Sequence, residues 1–297
     1  YFIAAWMSLF IINGIITYML SPGDWITTGS FWDGFFNPTF WSSLWLRTGI
    51  CIMLAGVYAL LVASREKDME FKKRLVRINA FWGLAGLAIM IPTFYWYIDM
   101  IPIELINAAK ESATISVSSM NASFINAALL GITLILFGLL IPKKYNIIIG
   151  IFAMLFALSW FGEYEFVRES VRKPYVVTDY MYANGIELAK ADLYKDEGML
   201  PSIEFKTGDD GADLFRRACR SCHTIDGYKA LKPHYDGMDE PFIAQSIIGV
   251  ESMRGNMPPF LGTEVEAESL AAHLITKFES EHVADIYNLE GLELGEK

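Results

Sequence analysis

The chain has 297 residues, 53% of them hydrophobic, and a formal charge of −10. Those totals hide an apolar first half and an acidic, polar C-terminal part, and the acidic part argues against nucleic acid or an anionic lipid surface as its partner. Three cysteines in this length exclude a disulfide-built scaffold.

From the N-terminus, five apolar runs reach the roughly 20 residues that a bilayer crossing needs. They are Phe2 to Leu20, Ser42 to Ser64, Asn79 to Ile98, Ala122 to Ile141 and Tyr145 to Gly162. Pro92 is expected to kink the third. The aromatic-rich stretch between the first two reads as interfacial anchoring or core packing. Cys51, alone in an apolar run, reads as a small buried hydrophobe. The short "PKKY" connection makes the fourth and fifth runs antiparallel neighbours.

Loop charge gives an orientation. The segment "REKDMEFKKRLVR" between runs two and three holds six basic residues, and "PKK" holds two more. The opposite loops hold one clear basic residue, Lys110, with Arg47 at the edge of the second run. Basic loops stay on the cytoplasmic side. Tyr1 is therefore expected inside, and everything after Gly162 outside. A cleaved secretory signal would instead leave Tyr1 outside, so the start at Tyr1 fits missing or processed residues better than a signal cut.

Beyond Gly162 the composition turns polar. Residues 163–203 read as a partly helical linker, 204–288 as a compact domain, and 289–297 as an acidic tail. From Pro201 onward the chain holds nine Lys and Arg against eighteen Asp and Glu. The expected architecture is all-α: a five-span transmembrane bundle (1–162) followed by a small class I cytochrome c domain.

That last expectation rests on "RRACRSCHTIDG". A Cys-x-x-Cys pair serves a redox disulfide, half a zinc site, or heme attachment. His223 directly after Cys222 selects attachment of heme c. Two thiols one helical turn apart can each bond a vinyl group, and the adjacent imidazole then lies under the iron as an axial ligand. Zinc would need two further Cys or His ligands nearby. Gly211 permits close packing of the helix that ends at the motif, and Leu214 and Phe215 lie on a face suited to a heme edge. Downstream, "RGNMPPFLG" holds Met257 in a Pro-stiffened loop, the expected second axial ligand. His234 and Met253 are rivals for that role. His273 and His282 read as surface residues. Leu270, Leu274 and Phe278, four apart, mark a closing helix.

The membrane half carries "NGIITYML", then "FFNPTFWSSLWLRTG" with the basic loop after it, then "SFINAALLGITL" and "EFVRESVRKPYVVTDYM". In that order these resemble the later part of subunit I of cytochrome bd quinol oxidases, over about residues 5 to 180. Glu169, Arg172 and Pro174 keep the pattern of the last stretch, and Lys173 and Tyr175 depart from it. The resemblance implies a low-spin heme b held by a His and a Met. Here Arg47 stands at the His position and Ala127 at the Met position. No His precedes His223. The family's long quinol-binding loop is short here, and its first four helices are absent. One covalent heme c and no heme b are therefore expected.

Arg47 has two readings: snorkelling to headgroups, or holding a propionate or an acidic partner group. The favoured function is a membrane-anchored electron-transfer subunit, non-catalytic in itself, in a respiratory chain. Its expected partners are the other membrane subunits of a bd-oxidase-like complex, the lipid bilayer, and a redox protein at the acidic cytochrome domain. The expected location is a bacterial inner membrane, with the cytochrome on the periplasmic face. Two alternatives are a quinol-oxidising subunit using Glu104, Asn121, Asn126 or Glu163, and a simple tethered carrier.

Overall fold

In a computed structural model of the chain, residues 1–112, 114–253 and 256–279 are described. The expected tail 289–297 and His282 lie outside them. The chain is mostly helical and divides into two compact units, Tyr1–Thr178 and Asp179–Lys297.

The first unit holds five helices long and apolar enough to cross a membrane. They are α1 (Phe2–Leu20), α4 (Phe40–Ala63), α5 (Met69–Asp99), α7 (Thr114–Thr133) with a π-helical continuation through Leu134–Leu140, and α8 (Ile147–Arg172). Two short helices, α2 (Trp25–Thr28) and α3 (Phe31–Phe35), fill the aromatic-rich connection, and α6 (Ile103–Ser112) precedes α7. A short strand, β1 (Tyr175–Val177), ends the unit. Asp68 starts α5 by accepting the backbone N–H groups of Glu70 and Phe71, and Asn146 starts α8 through Ile148 and Ile149. Each cap satisfies donors that the first turn leaves open. Helix α5 runs unbroken through Pro92.

Small residues set the spacing of α4 against α5. A Cβ on Gly86 would lie 2.4 Å from the backbone nitrogen of Met53, and one on Gly56 would lie 2.5 Å from that of Gly83. With no hydrophobic force between helices in lipid, such close backbone approach is what holds them together.

Helix α8 continues ten residues past Gly162, where the apolar run ends. Its charged last turns are paired one turn apart, Arg168 with Glu165 at 2.7 Å and Arg172 with Glu169 at 2.6 Å. Cys51 is exposed on the face of α4 that looks away from the bundle, so it is not the buried hydrophobe expected.

The second unit begins earlier than residue 204. Ile186, Tyr194 and Met199 are buried in its core together with Leu214, Ile243, Leu261, Leu270, Leu274 and Phe278. Residues 179–203 are therefore part of this unit rather than a free linker. Its elements are β2 (Met181–Tyr182), α9 (Ala191–Glu197), α10 (Asp210–Leu214), α11 (Lys232–Tyr235), α12 (Glu240–Ile248), α13 (Val250–Met253) and α14 (Glu264–Glu279). Helix α14 lays the expected Leu270, Leu274 and Phe278 face inward, against α10 and α12.

Gly211 is where α10 meets α14: a Cβ there would lie 2.4 Å from both the Ser269 carbonyl oxygen and His273 Cβ. This contact draws His273 off the surface, contrary to expectation. Its side chain is 7% exposed, and its Nδ1 lies 2.9 Å from Asp209 Oδ2. Asp209 caps α10, and the Ala212 backbone N–H, with the His273 side chain next, holds its carboxyl below the usual carboxylate range. A lowered carboxyl contributes stability above its unfolded value of about 3.9, and that contribution is lost as pH falls through the lowered folded value. Thermal melts between about pH 2.5 and 5 are expected to show a steeper acid loss in the native chain than in Asp209→Ala. Parallel slopes would remove Asp209 from the account.

Candidate functional site

The Cys-x-x-Cys-His motif sits at the end of α10. A π-helical turn, Phe215–Cys219, extends that helix and is closed by the Arg220 N–H donating to the Phe215 carbonyl at 2.9 Å. Such widened turns occur often at functional sites. The Cys219 carbonyl then accepts from both Cys222 (3.0 Å) and His223 (2.9 Å), so the two thiols and the imidazole share one tight turn. Cys219 and Cys222 are both partly exposed. Leu214 and Phe215 are buried beneath, and Cys219 packs against the same core. Burial, with Cys222 adding to the effect, pushes the Cys219 thiol up to about 12.

The imidazole of His223 is oriented by the loop after it. Its Nδ1 lies 2.9 Å from the Lys229 carbonyl oxygen. A carbonyl only accepts, so Nδ1 is the donor there, and in the neutral ring Nε2 then carries the lone pair. Second-shell bonds of this kind fix the tautomer of metal-ligating histidines. Lys229 delivers its carbonyl from a left-handed conformation, φ +51°. Around it, the Thr224 carbonyl accepts from Leu231 (3.0 Å), the Ile225 carbonyl accepts from Lys232 (3.1 Å), and Thr224 Oγ1 donates to the Tyr228 carbonyl at 2.9 Å. The loop is thus held at several points.

Met257 is half-buried on the irregular stretch before Phe260, outside any helix. Met253 is exposed at the end of α13, and His234 is exposed on the single turn of α11. Among the described residues no group of three or more His, Cys, Asp or Glu side chains is placed to hold a metal ion. Cys219, Cys222 and His223 thus stand together on one turn, and Met257 lies on a separate Pro-rich stretch of the same unit.

Glu266, which sequence reasoning passed over, supports this unit. It is 5% exposed, and its carboxylate accepts from the backbone N–H groups of Met199 (2.9 Å), Leu200 (2.8 Å) and Thr263 (3.0 Å). One side chain thereby ties α14 to the start of the unit and to the end of the Met257 stretch.

The membrane unit holds a second polar assembly. Asn13 donates to the Phe40 carbonyl (2.9 Å) and accepts from Ser43 (2.8 Å), and Arg47 Nε donates to Ser43 Oγ at 3.3 Å. Arg47 Nη2 then lies 3.5 Å from Glu165 Oε1, with the Arg47 side chain 12% exposed. Of its two readings, Arg47 takes the acidic partner: Glu165 of α8. Asn126 donates to both oxygens of Glu163 at 3.0 Å, bridging α7 and α8. Glu104 and Asn121 are exposed and do not join them. Ala127 is half-buried on α7.

Comparisons of the chain with family models, with curated proteins and with solved structures give no match.

Proposed function

We propose that the second unit is a class I c-type cytochrome and that the chain is a membrane-anchored electron-transfer subunit. Cys219 and Cys222 would hold the heme by thioether bonds, with His223 Nε2 and Met257 Sδ as axial ligands. When bound, such a group supplies one-electron exchange between ferric and ferrous iron. The chain's residues attach it, fix the imidazole and shield it; no substrate bond is made or broken. The observation that carries this reading is the Nδ1 contact of His223 with the Lys229 carbonyl, which leaves the ligating nitrogen free directly beside two thiols. His/Met ligation raises the reduction potential, which suits the high-potential end of a respiratory chain.

The membrane unit, on this reading, docks beside other subunits of a bd-oxidase-like complex, and the cytochrome exchanges electrons with a redox partner at the outer face of a bacterial inner membrane. The basic loops after α4 and before α8 support that orientation. Arg47 and Ala127, at the positions where the resembled family binds heme b, support a chain that owns heme c alone.

The purified full chain is expected to show one heme c per polypeptide, surviving denaturation, and no dissociable heme. A heme b belonging to this chain would sink the assignment of Arg47 and Ala127. Met257→Ala is expected to lower the reduction potential and abolish the sulfur-to-iron absorption band while the heme stays attached. Persistence of the band would remove Met257 as the ligand and turn attention to Met253; a bis-nitrogen spectrum in the native chain would point to His234.

A further inference from the structure

A cavity of about 570 Å³ opens among the membrane helices, apart from every residue assigned to the heme. Its lining runs along α5 from Leu84 to Ile98 and along α7 from Met120 to Gly131. At 1.5 Å per residue the α5 wall is about 20 Å long, rather more than the ~15 Å of hydrocarbon in one leaflet. The walls are almost wholly aliphatic and aromatic. Polar groups gather at one end, where Tyr97, Tyr164 and Arg168 line it near the last turns of α5 and α8.

That end is incompletely satisfied. Tyr164 is 6% exposed, and its hydroxyl has no hydrogen-bond partner. A buried hydroxyl left without a partner on a cavity wall marks a place where an acceptor can be received. The charges are unbalanced too. Arg47 and Arg168 share the single carboxylate of Glu165. Two cations therefore meet one carboxylate there. A neutral occupant would leave the excess positive charge uncompensated in a low-dielectric setting.

We propose that this cavity holds one lipid with an anionic head, its hydrocarbon chain along α5 and α7 and its head on Tyr164 and Arg168. A phosphodiester and a fatty-acid carboxylate present the same anionic oxygens there. The proposal does not depend on the heme.

The test uses the full chain in dodecyl maltoside, stripped of lipid and offered phosphatidylglycerol, phosphatidylcholine, palmitate or an isoprenoid quinone, with retention read by native mass spectrometry. Expected is one phosphatidylglycerol or one palmitate per chain, the better retained of the two identifying the source, and little phosphatidylcholine. Tyr164→Phe, which removes only the unmet hydroxyl, and Arg168→Gln are each expected to lower retention roughly tenfold. Ala128→Trp, which fills the cavity, is expected to abolish it. If Arg168→Gln fails to fold, Tyr164→Phe decides alone. Retention of phosphatidylcholine equal to phosphatidylglycerol, preference for the quinone, no retention at all, or native retention by Tyr164→Phe would each overturn the proposal.

Discussion

A chain carrying Cys219→Ala and Cys222→Ala together is expected to lose all covalently bound heme, read as heme staining of the denatured polypeptide. The two thiols are the whole attachment chemistry of the proposed site, so the effect is complete rather than graded. Either single change leaves one thioether and should give reduced but detectable staining. The imidazole that Lys229 holds is unchanged in all three variants, and any heme kept without a covalent bond is lost on denaturation and leaves the result unaltered. Staining that survives in the double variant would end the heme c assignment. So would native protein in which both thiols react fully with a maleimide after unfolding. The same labelling separates heme attachment from a dithiol redox motif. A redox pair would become unreactive on mild oxidation and recover with reductant.

The second large effect is expected at Glu266. Its two oxygens satisfy three backbone N–H groups from separate parts of the second unit. Glu266→Ala strands all three. At about 1–3 kcal/mol for each unmet donor, the expected loss is roughly 3–9 kcal/mol, a large part of the 5–15 kcal/mol that holds a typical domain together. Glu266→Gln should fall between, because its carbonyl oxygen still accepts while its amide meets N–H donors with N–H groups of its own. Urea unfolding followed by circular dichroism reads the difference. A loss under about 1 kcal/mol for the alanine variant would show that water replaces the carboxylate without penalty.

Much of the membrane unit was legible because hydropathy over a 20-residue window is a strong physical signal, and all five expected spans appear as helices. The ends were less so. The fifth apolar run stops at Gly162, yet α8 continues to Arg172, since the Glu165–Arg168 and Glu169–Arg172 pairs support helix in a stretch that hydropathy scores as polar. Side-chain facing was the weaker inference. Cys51 lies in an apolar run but points away from the bundle, because in a membrane both faces of a helix are apolar and the sequence pattern no longer separates them.

In the second unit the Cys-x-x-Cys-His motif and the α14 face were readable from spacing. Residues 179–203 were not, because Ile186 and Met199 reach the core from irregular stretches and Tyr194 from α9, a seven-residue helix too short to show a repeating period. The partners of Arg47 and His273 were illegible for another reason. Glu165 lies 118 residues from Arg47, and Asp209 lies 64 from His273. Only packing brings such pairs together.

The glycine contacts between α4 and α5 have a geometric consequence. With backbone almost touching backbone at Gly56 and Gly86, neither helix can turn about its own axis by one residue step, because the next side chain would strike its neighbour's main chain. The two helices are keyed like cogs, and their angular setting is fixed once for the whole length. Arg47 on one cog and Tyr97 on the other inherit that setting. Their bearings are decided about two to four helical turns away, by residues with no side chain at all.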